Sequence, residues 1–378
     1  VVGKAQGEMA LEEFLRKTEE GWSGYELELV NYQGGGGGGV LLLKGWDALF
    51  AKLEDDLAAL GAMKQSPYFR NVKRFEEQGE KWEATLNRCQ QTFDLWIDVQ
   101  RRWVYLGGIF FGSQEIKAQL PSEHAKFSSV DREFVELMKK VRKRPLALEV
   151  AHASSAEEHG KRLRQLEKHA EVMGKIQKAL GEYLERQRAA FSRFYFVGDE
   201  DLLEIVGNSK EPRKIVGHLG KMFAALVGVR FGPQGSKFDP EEDQTNTAWT
   251  HLTAMVSKEG EVVPFTRGAV QCAADPLGGK PAAPGVKDWL QALEAGMADT
   301  LAHTLNRAVS SMASLPQVVL ANNNGEAFGE VFGAAFDAWL GSLPAQVAVL
   351  AIQIAWAASM EVALSSPSSS SSPSLTSS

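Results

Sequence analysis

Three histidines, His152, His159 and His169, fall within eighteen residues, with Glu157 and Glu158 between them. Imidazoles beside carboxylates are the donor set of a zinc site. A helical zinc motif, however, sets two ligands one turn apart at i and i+4, as in H-E-x-x-H. The spacings here are seven and ten and no cysteine joins them, so these histidines read as parts of a solvated helix. GDED (198–201) brings Asp199, Glu200 and Asp201 together and has the oxygens for a divalent ion. Acids at a helix start are equally what the helix dipole and capping favour. Asp201 with Glu204 has the form of a capping box opening a short helix. Phosphate chemistry would need a strand, then G-x-x-x-x-G-K-[ST]. The hexaglycine run 34–39 leads instead into VLLLKGW, where Gly45 follows Lys44. GHLGKM (217–222) has two residues between its glycines and a methionine where a hydroxyl is required, and GPQGSK (232–237) has the order wrong. No G-x-S-x-G, C-x-x-C or Rossmann fingerprint occurs. No catalytic, cofactor-binding or metal-binding residue is therefore assigned.

What remains is packing chemistry. FDLWIDVQRRWVYLGGIF (93–110) sets Trp96 and Trp103 seven positions apart, two helical turns, on one face with Val99 and Leu106. Asp94, Asp98, Arg101 and Arg102 fall mostly off that stripe. The segment reads as an amphipathic helix whose indoles pack on a neighbouring helix, with Arg101 and Arg102 placed to pair across to it or to a partner. Phe194, Tyr195, Phe196 and Val197 read as an apolar knot ahead of Asp199, Asp201 and Glu204, a second candidate interface.

Those residues have to be carried by helices. GWDALFAKLEDDLAALGAM (45–63) has Leu49, Leu53, Leu57 and Leu60 on one stripe, and 66–108 reads as one long helix or two in line, stopped by Gly107 and Gly108. Helices follow at 128–145, ending at Pro145, and at 154–191, which at 1.5 Å per residue is roughly 50 Å long. Residues 211–229 read as another helix. Period-two patterning appears in YELELVNY and in WTHLTAMVS and EVVPF, the last two separated by KEG, so a β-hairpin is expected at about 249–265. Helices return from 286, with Trp289, Leu293 and Met297 on a stripe. Gly341 to Pro344 breaks the last two. AQVAVLAIQIAWAASM (345–360) reads as a buried helix too short for a comfortable membrane span. Residues 230–247 and 315–329 read as loops.

The expected fold is thus mainly α: an elongated rod of consecutive antiparallel helical bundles with a small β-hairpin insertion near 249–265. Its segments are 1–39 (incoming helix, strand and Gly-rich connector), 40–229 (helical-bundle core), 230–285 (loop and hairpin), 286–364 (C-terminal helices) and 365–378 (a disordered Ser/Pro tail). The 378 residues carry 41 Lys and Arg against 48 Asp and Glu, a net charge of −7 with no long basic block, which argues against a nucleic-acid surface. Only two cysteines, Cys89 and Cys272, are present, which excludes a disulfide framework and fits a reducing setting. The start at Val1 and the serine-rich end read as edges of a fragment or gene model.

WIDVQRRWVYLGGIF, then GKIQKALGEYLERQRAAFSRFYFVGDEDLLEIVGNSK, resembles the linker region of dynein heavy chains. The order of KGWDALFAKLEDDLAALGAMKQSPYF, the KEGEVVPF hairpin and QIAWAASMEVAL agrees, strongly over roughly 40–265 and weakly over 285–365. GDEDLLEIVGNSK is similar to the cytoplasmic branch; a ciliary (axonemal) heavy chain and a non-motor helical scaffold are the alternatives. The resemblance implies a mechanical lever lying across a ring of AAA+ modules. ATP and Mg bind in that ring, and the lever couples its changes to a cargo-binding tail and to movement toward the microtubule minus end. It implies as partners the ring of the same chain, dynein intermediate and light intermediate chains, microtubules through a stalk, and a homodimer, in the cytoplasm on the microtubule cytoskeleton. No membrane insertion is expected, and no cofactor in this segment. The breaks at Gly107–Gly108 and Pro145–Ser155 are the expected hinges.

Overall fold

A computed structural model describes residues 2–34, 39–69, 72–209, 211–232, 251–266, 268–272, 285–312 and 334–365. The chain is mainly helical and divides into two compact units, Val1–Gln187 and Arg188–Ser378.

In the first unit, α1 (Val2–Ser23) buries Leu11, Leu15 and Trp22. Trp22 donates its indole N–H to Asp56 at 2.7 Å. Strand β1 (Glu28–Tyr32) pairs antiparallel with β2 (Val40–Lys44), from Glu28 opposite Lys44 to Tyr32 opposite Val40. The glycine run therefore joins two paired strands; 35–38 lie outside the described residues. Gly45, at φ 73°, turns β2 into α2 (Trp46–Lys64), which buries Leu49, Leu53, Leu60 and Met63 while Leu57 is half-buried.

Helix α3 (Lys73–Gly112) has 40 residues and is about 60 Å long. It does not stop at Gly107 and Gly108. Two glycines cost a helix roughly 2 kcal/mol against alanine, but Leu106 and Phe110 on either side are fully buried. Gly107 lies close to Phe111 and Phe127, where a Cβ would come within 3.3 Å of Phe111. Tertiary packing thus overrides the local preference, and the break comes at Ser113, whose hydroxyl accepts from the Ile116 N–H to start α4 (Gln114–Gln119). Then follow α5 (Pro121–Lys143), the single turn α6 (Ala147–Val150) and α7 (Ala156–Ala190). The stretch before α6 is tied down: the Leu27 N–H donates to the Pro145 carbonyl at 2.7 Å, and the Ala147 N–H donates to Tyr25 at 3.0 Å.

The second unit opens with a 3-10 turn (Ser192–Phe196), then α8 (Asp199–Gly207) and α9 (Pro212–Met222). The helix expected to reach 229 ends at Met222; Leu226–Gly232 is strand β3. Leu-Val-Gly-Val-Arg-Phe is β-branched and apolar, and its backbone groups find partners on β4 (His251–Ser257). Strand β4 also pairs with β5 (Val262–Pro264), the expected hairpin, and with β6 (Val270–Gln271). Gly260, at φ 84°, takes the hairpin turn. Helix α10 (Val286–Met312) buries Trp289 and Leu293 and leaves Met297 half-buried; α11 (334–341) and α12 (Ala345–Ser365) pack beside it. The loop expected from 230 starts later, since 230–232 end β3, and the tail expected from 365 starts after Ser365, the last residue of α12; 233–247, 315–329 and 366–378 lie outside the described residues.

Helix α12 is not the buried helix that its composition suggested. Val347, Ala348 and Ala351 pack against α10 and α11, whereas Trp356 is 67% exposed and Leu364 81%. With 21 residues it is also longer than the apolar run alone, and Ala345–Val362 is long and apolar enough to cross a membrane by length and composition.

Candidate functional site

Helix α3 is the axis of the first unit. Its period of 3.6 places Phe93, Trp96, Val99, Gln100, Trp103, Leu106 and Phe110 on the buried side. Trp103 packs its ring 5.1 Å from Phe134 of α5 and edge-on, 5.8 Å, to Tyr32 of β1. Its indole N–H donates to Asp131 Oδ1 at 3.0 Å. Burial holds the Asp131 carboxyl above its usual range, and the indole hydrogen bond opposes this. Trp96 is fully buried beside Phe93, with the Arg162 guanidinium of α7 6.0 Å from its ring. Both indoles thus pack this helix onto others, as the spacing implied. The two arginines part company. Arg102 bonds Asp98 one turn back at 2.9 Å and reaches Gln177 of α7 at 3.3 Å, whereas Arg101 points to solvent.

Gln100 is the residue that sequence reading missed. Its amide oxygen accepts from the Leu43 N–H at 3.1 Å and its amide nitrogen donates to the Leu43 carbonyl at 2.9 Å. The side chain therefore completes the edge of β2 as another strand would. A polar residue sitting on the Trp96–Trp103 stripe was the available signal.

The three histidines do not lie on a solvated face as their spacing suggests: His159 and His169 are buried, and each ring has its own partner. His159 Nε2 lies 3.0 Å from the Arg88 carbonyl, His169 Nε2 lies 2.9 Å from Glu133, and His152 lies 2.8 Å from Arg162. Among the described residues no group of three or more His, Cys, Asp or Glu side chains is arranged to hold a metal. Burial lowers the pKa of His152 and His159, and the His169 hydrogen bond lowers that of Glu133. Cys89 and Cys272 are buried and form no disulfide, and burial pushes each thiol up to about 12.

At the second predicted interface only part of the knot forms. Phe194 and Val197 are buried, with Phe194 edge-on to Phe191 at 5.0 Å. Tyr195 and Phe196 are exposed, because a 3-10 turn repeats every three residues and successive side chains cannot share its inner face. The capping box also fails: α8 starts at Asp199 after Gly198, with no side-chain cap, and Asp201 is already inside the first turn. There it accepts from Lys221 of α9 at 2.7 Å, which together with His218 holds its pKa down. Glu204 lies 3.3 Å from His218 Nε2, and Asp199 bonds Arg188 at 2.6 Å. These acids staple α8 to its neighbours. GHLGKM forms part of α9, a helical turn with no phosphate cradle.

Residues 1–308 match the family model described as dynein heavy chain, N-terminal region 2. The chain is 43% identical over 360 residues to the Caenorhabditis elegans protein "Dynein heavy chain, cytoplasmic", covering 95% of this chain and 7% of that one. The Dictyostelium discoideum protein of the same description is 41% identical over 364 residues, again 7% of its length. "Dynein axonemal heavy chain 11" of Sus scrofa is 30% identical over 366 residues. The chain thus spans about 7% of the relatives it matches.

Proposed function

The chain belongs to the dynein heavy-chain family, and from that premise we propose that it is the linker of a cytoplasmic heavy chain, a lever that carries force and performs no chemistry. What supports the lever is the first unit itself. A helix of 40 residues and one of 35 are cross-tied through Arg102 and Gln177 and filled between by tryptophan and phenylalanine. Close-packed cores of that kind deform little and transmit strain. What supports the cytoplasmic class is the higher identity to cytoplasmic relatives, 43% against 30% for the axonemal one.

On this reading ATP and Mg act elsewhere in the heavy chain, on an AAA+ ring whose changes this segment carries to the tail. Intermediate and light intermediate chains, microtubules and a second heavy chain are partners of the whole protein, in the cytoplasm on the microtubule cytoskeleton. A lever of this type needs a local weak point. Of the two expected breaks, only 145–155 falls outside the long helices, and α3 continues through the other.

The test is a proline at exposed Lys175, mid-way along α7, in a full-length heavy chain carrying this segment. Proline in a helix interior costs about 3 kcal/mol and kinks it. Microtubule gliding should slow several-fold while nucleotide hydrolysis continues; unchanged gliding by a properly folded variant refutes the lever.

A further inference from the structure

The connector between α6 and α7 holds a backbone conformation that its residue type resists. At the end of α6 the His152 N–H donates to the Glu149 carbonyl at 3.1 Å, and the Ala153 N–H reaches back to Leu148 at 3.0 Å. Such an ending sets the first residue past the helix in the left-handed region and favours glycine there. That residue is His152, at φ 49°. A β-carbon is unfavourable in this conformation, and strain of this kind persists only where the surroundings over-determine it.

The side chain supplies the tie. His152 Nε2 lies 2.8 Å from an Arg162 guanidinium nitrogen of α7. A guanidinium only donates, so Nε2 accepts, the ring is neutral and its proton sits on Nδ1. His159, seven residues on, has the opposite role. Its Nε2 lies 3.0 Å from the Arg88 carbonyl, which only accepts, so that ring donates. A proton added to His159 leaves its bond intact. A proton added to His152 Nε2 takes the lone pair that Arg162 uses and sets two donors face to face. We propose that His152 is a proton-operated latch on this connector: neutral, it accepts from Arg162 and fixes 151–155 in its strained path; protonated at Nε2, it releases Arg162 and the segment opens.

The surroundings fit a latch that is closed at neutral pH. Burial first, and then Arg162 and His159, disfavour a positive charge on the ring and hold its pKa below the ordinary value. Glu158, which favours that charge, is bonded to Lys161 at 3.1 Å. From α3, Arg88 donates to the Ala153 carbonyl at 3.0 Å, and from α6 Glu149 pairs with Arg144. The stabilisation is therefore complete above the unfolded pKa of about 6.5 and is lost as pH falls through the lower folded value. The start of the connector is held by backbone bonds to Leu27 and Tyr25, which mild acid leaves in place. In a lever, the latch would free the break outside the long helices; the latch itself does not rest on that reading.

Amide hydrogen exchange of the 378-residue chain between about pH 7.5 and about pH 5, corrected for the intrinsic exchange rate, tests the proposal. The amides of His152, Ala153 and Ser155 are hydrogen-bonded in the closed connector. Their protection should fall about tenfold or more across that range, the factor that one hydrogen bond to a charged group makes in an equilibrium. His152→Asn keeps an acceptor that mild acid does not protonate and tolerates the left-handed backbone, so this step should disappear. His152→Gly suits the backbone and lacks the acceptor, and should be equally flat. His159→Gln keeps a donor for the Arg88 carbonyl and should retain the step. Nitrogen NMR of the imidazoles in the parent chain should show His152 as the Nδ1–H tautomer at neutral pH. A parent chain without the step, a step that survives in His152→Asn or His152→Gly, or one that vanishes in His159→Gln overturns the proposal. So does an Nε2–H tautomer at His152, with no variant needed.

Discussion

Replacing Gln100 by leucine should weaken the first unit out of proportion to the size of the change. The amide holds both backbone groups of Leu43, a residue only 3% exposed. Leucine has nearly the same volume and leaves no cavity, so the loss is almost purely polar. An N–H and a carbonyl left unpaired away from water cost about 1–3 kcal/mol each. The added apolar burial returns about 1 kcal/mol. The net is about 1–5 kcal/mol, or a fall in Tm of roughly 2–20 °C for a unit of this size. Hydrogen exchange over 40–44, read with chemical denaturation, measures the loss where it arises. Gln100→Glu provides the control. Only a protonated carboxyl can both accept from and donate to Leu43, so the folded pKa must rise above the unfolded value of about 4.3. The sign follows. The favourable arrangement is present below the unfolded pKa and is lost as pH rises through the folded one, so Gln100→Glu should be least impaired in mild acid. If Gln100→Leu stays within 0.5 kcal/mol of the parent, the amide does not close the strand edge and the reasoning fails.

Other outcomes follow from single contacts. Glu133, whose folded pKa lies below its ordinary 4.5, contributes stability present above that value and lost as pH falls through the lowered one. Glu133→Gln should therefore blunt acid unfolding in titrations below about pH 5. Gly45→Ala should cost about 1–2 kcal/mol in thermal melts, because φ 73° is a left-handed conformation and a Cβ there would lie 2.9 Å from the Glu28 carboxylate. Cys89, with its thiol pushed up to about 12, should resist iodoacetamide at pH 8 until urea exposes it, as read by mass spectrometry.

Much of the first unit was legible from periodicity. Of the stripe through Leu49, Leu53, Leu57 and Leu60, all but the half-buried Leu57 are no more than 2% exposed, as are Trp96 and Trp103. The histidine spacings suggest a solvated helix, yet His159 and His169 are buried against partners from far along the chain, the Arg88 carbonyl and Glu133. The KEG turn placed β4 and β5 correctly. The misreadings share a cause, which is local preference set against distant partners. Gly107 and Gly108 are helix breakers in isolation, yet the phenylalanines around them hold α3 straight through. Residues 226–232 follow a helix without a proline or glycine pair to announce a change, and become a strand because β4 lies beside them. Asp201 and Glu204 match a capping pattern, but Lys221 and His218 of another helix take up both carboxylates.

The sequence by itself determined which stretches are helical, which faces of the long ones are apolar, and to which family the chain belongs, because all three are written in the order and spacing of neighbouring residues. Only the tertiary structure decided that Gln100 stands in for a strand, that Tyr195 and Phe196 face outward, and that α12 is covered on one side alone. Those outcomes depend on which groups from far along the chain arrive beside a residue, and whether a polar or apolar surface is left without a partner is settled only when they do.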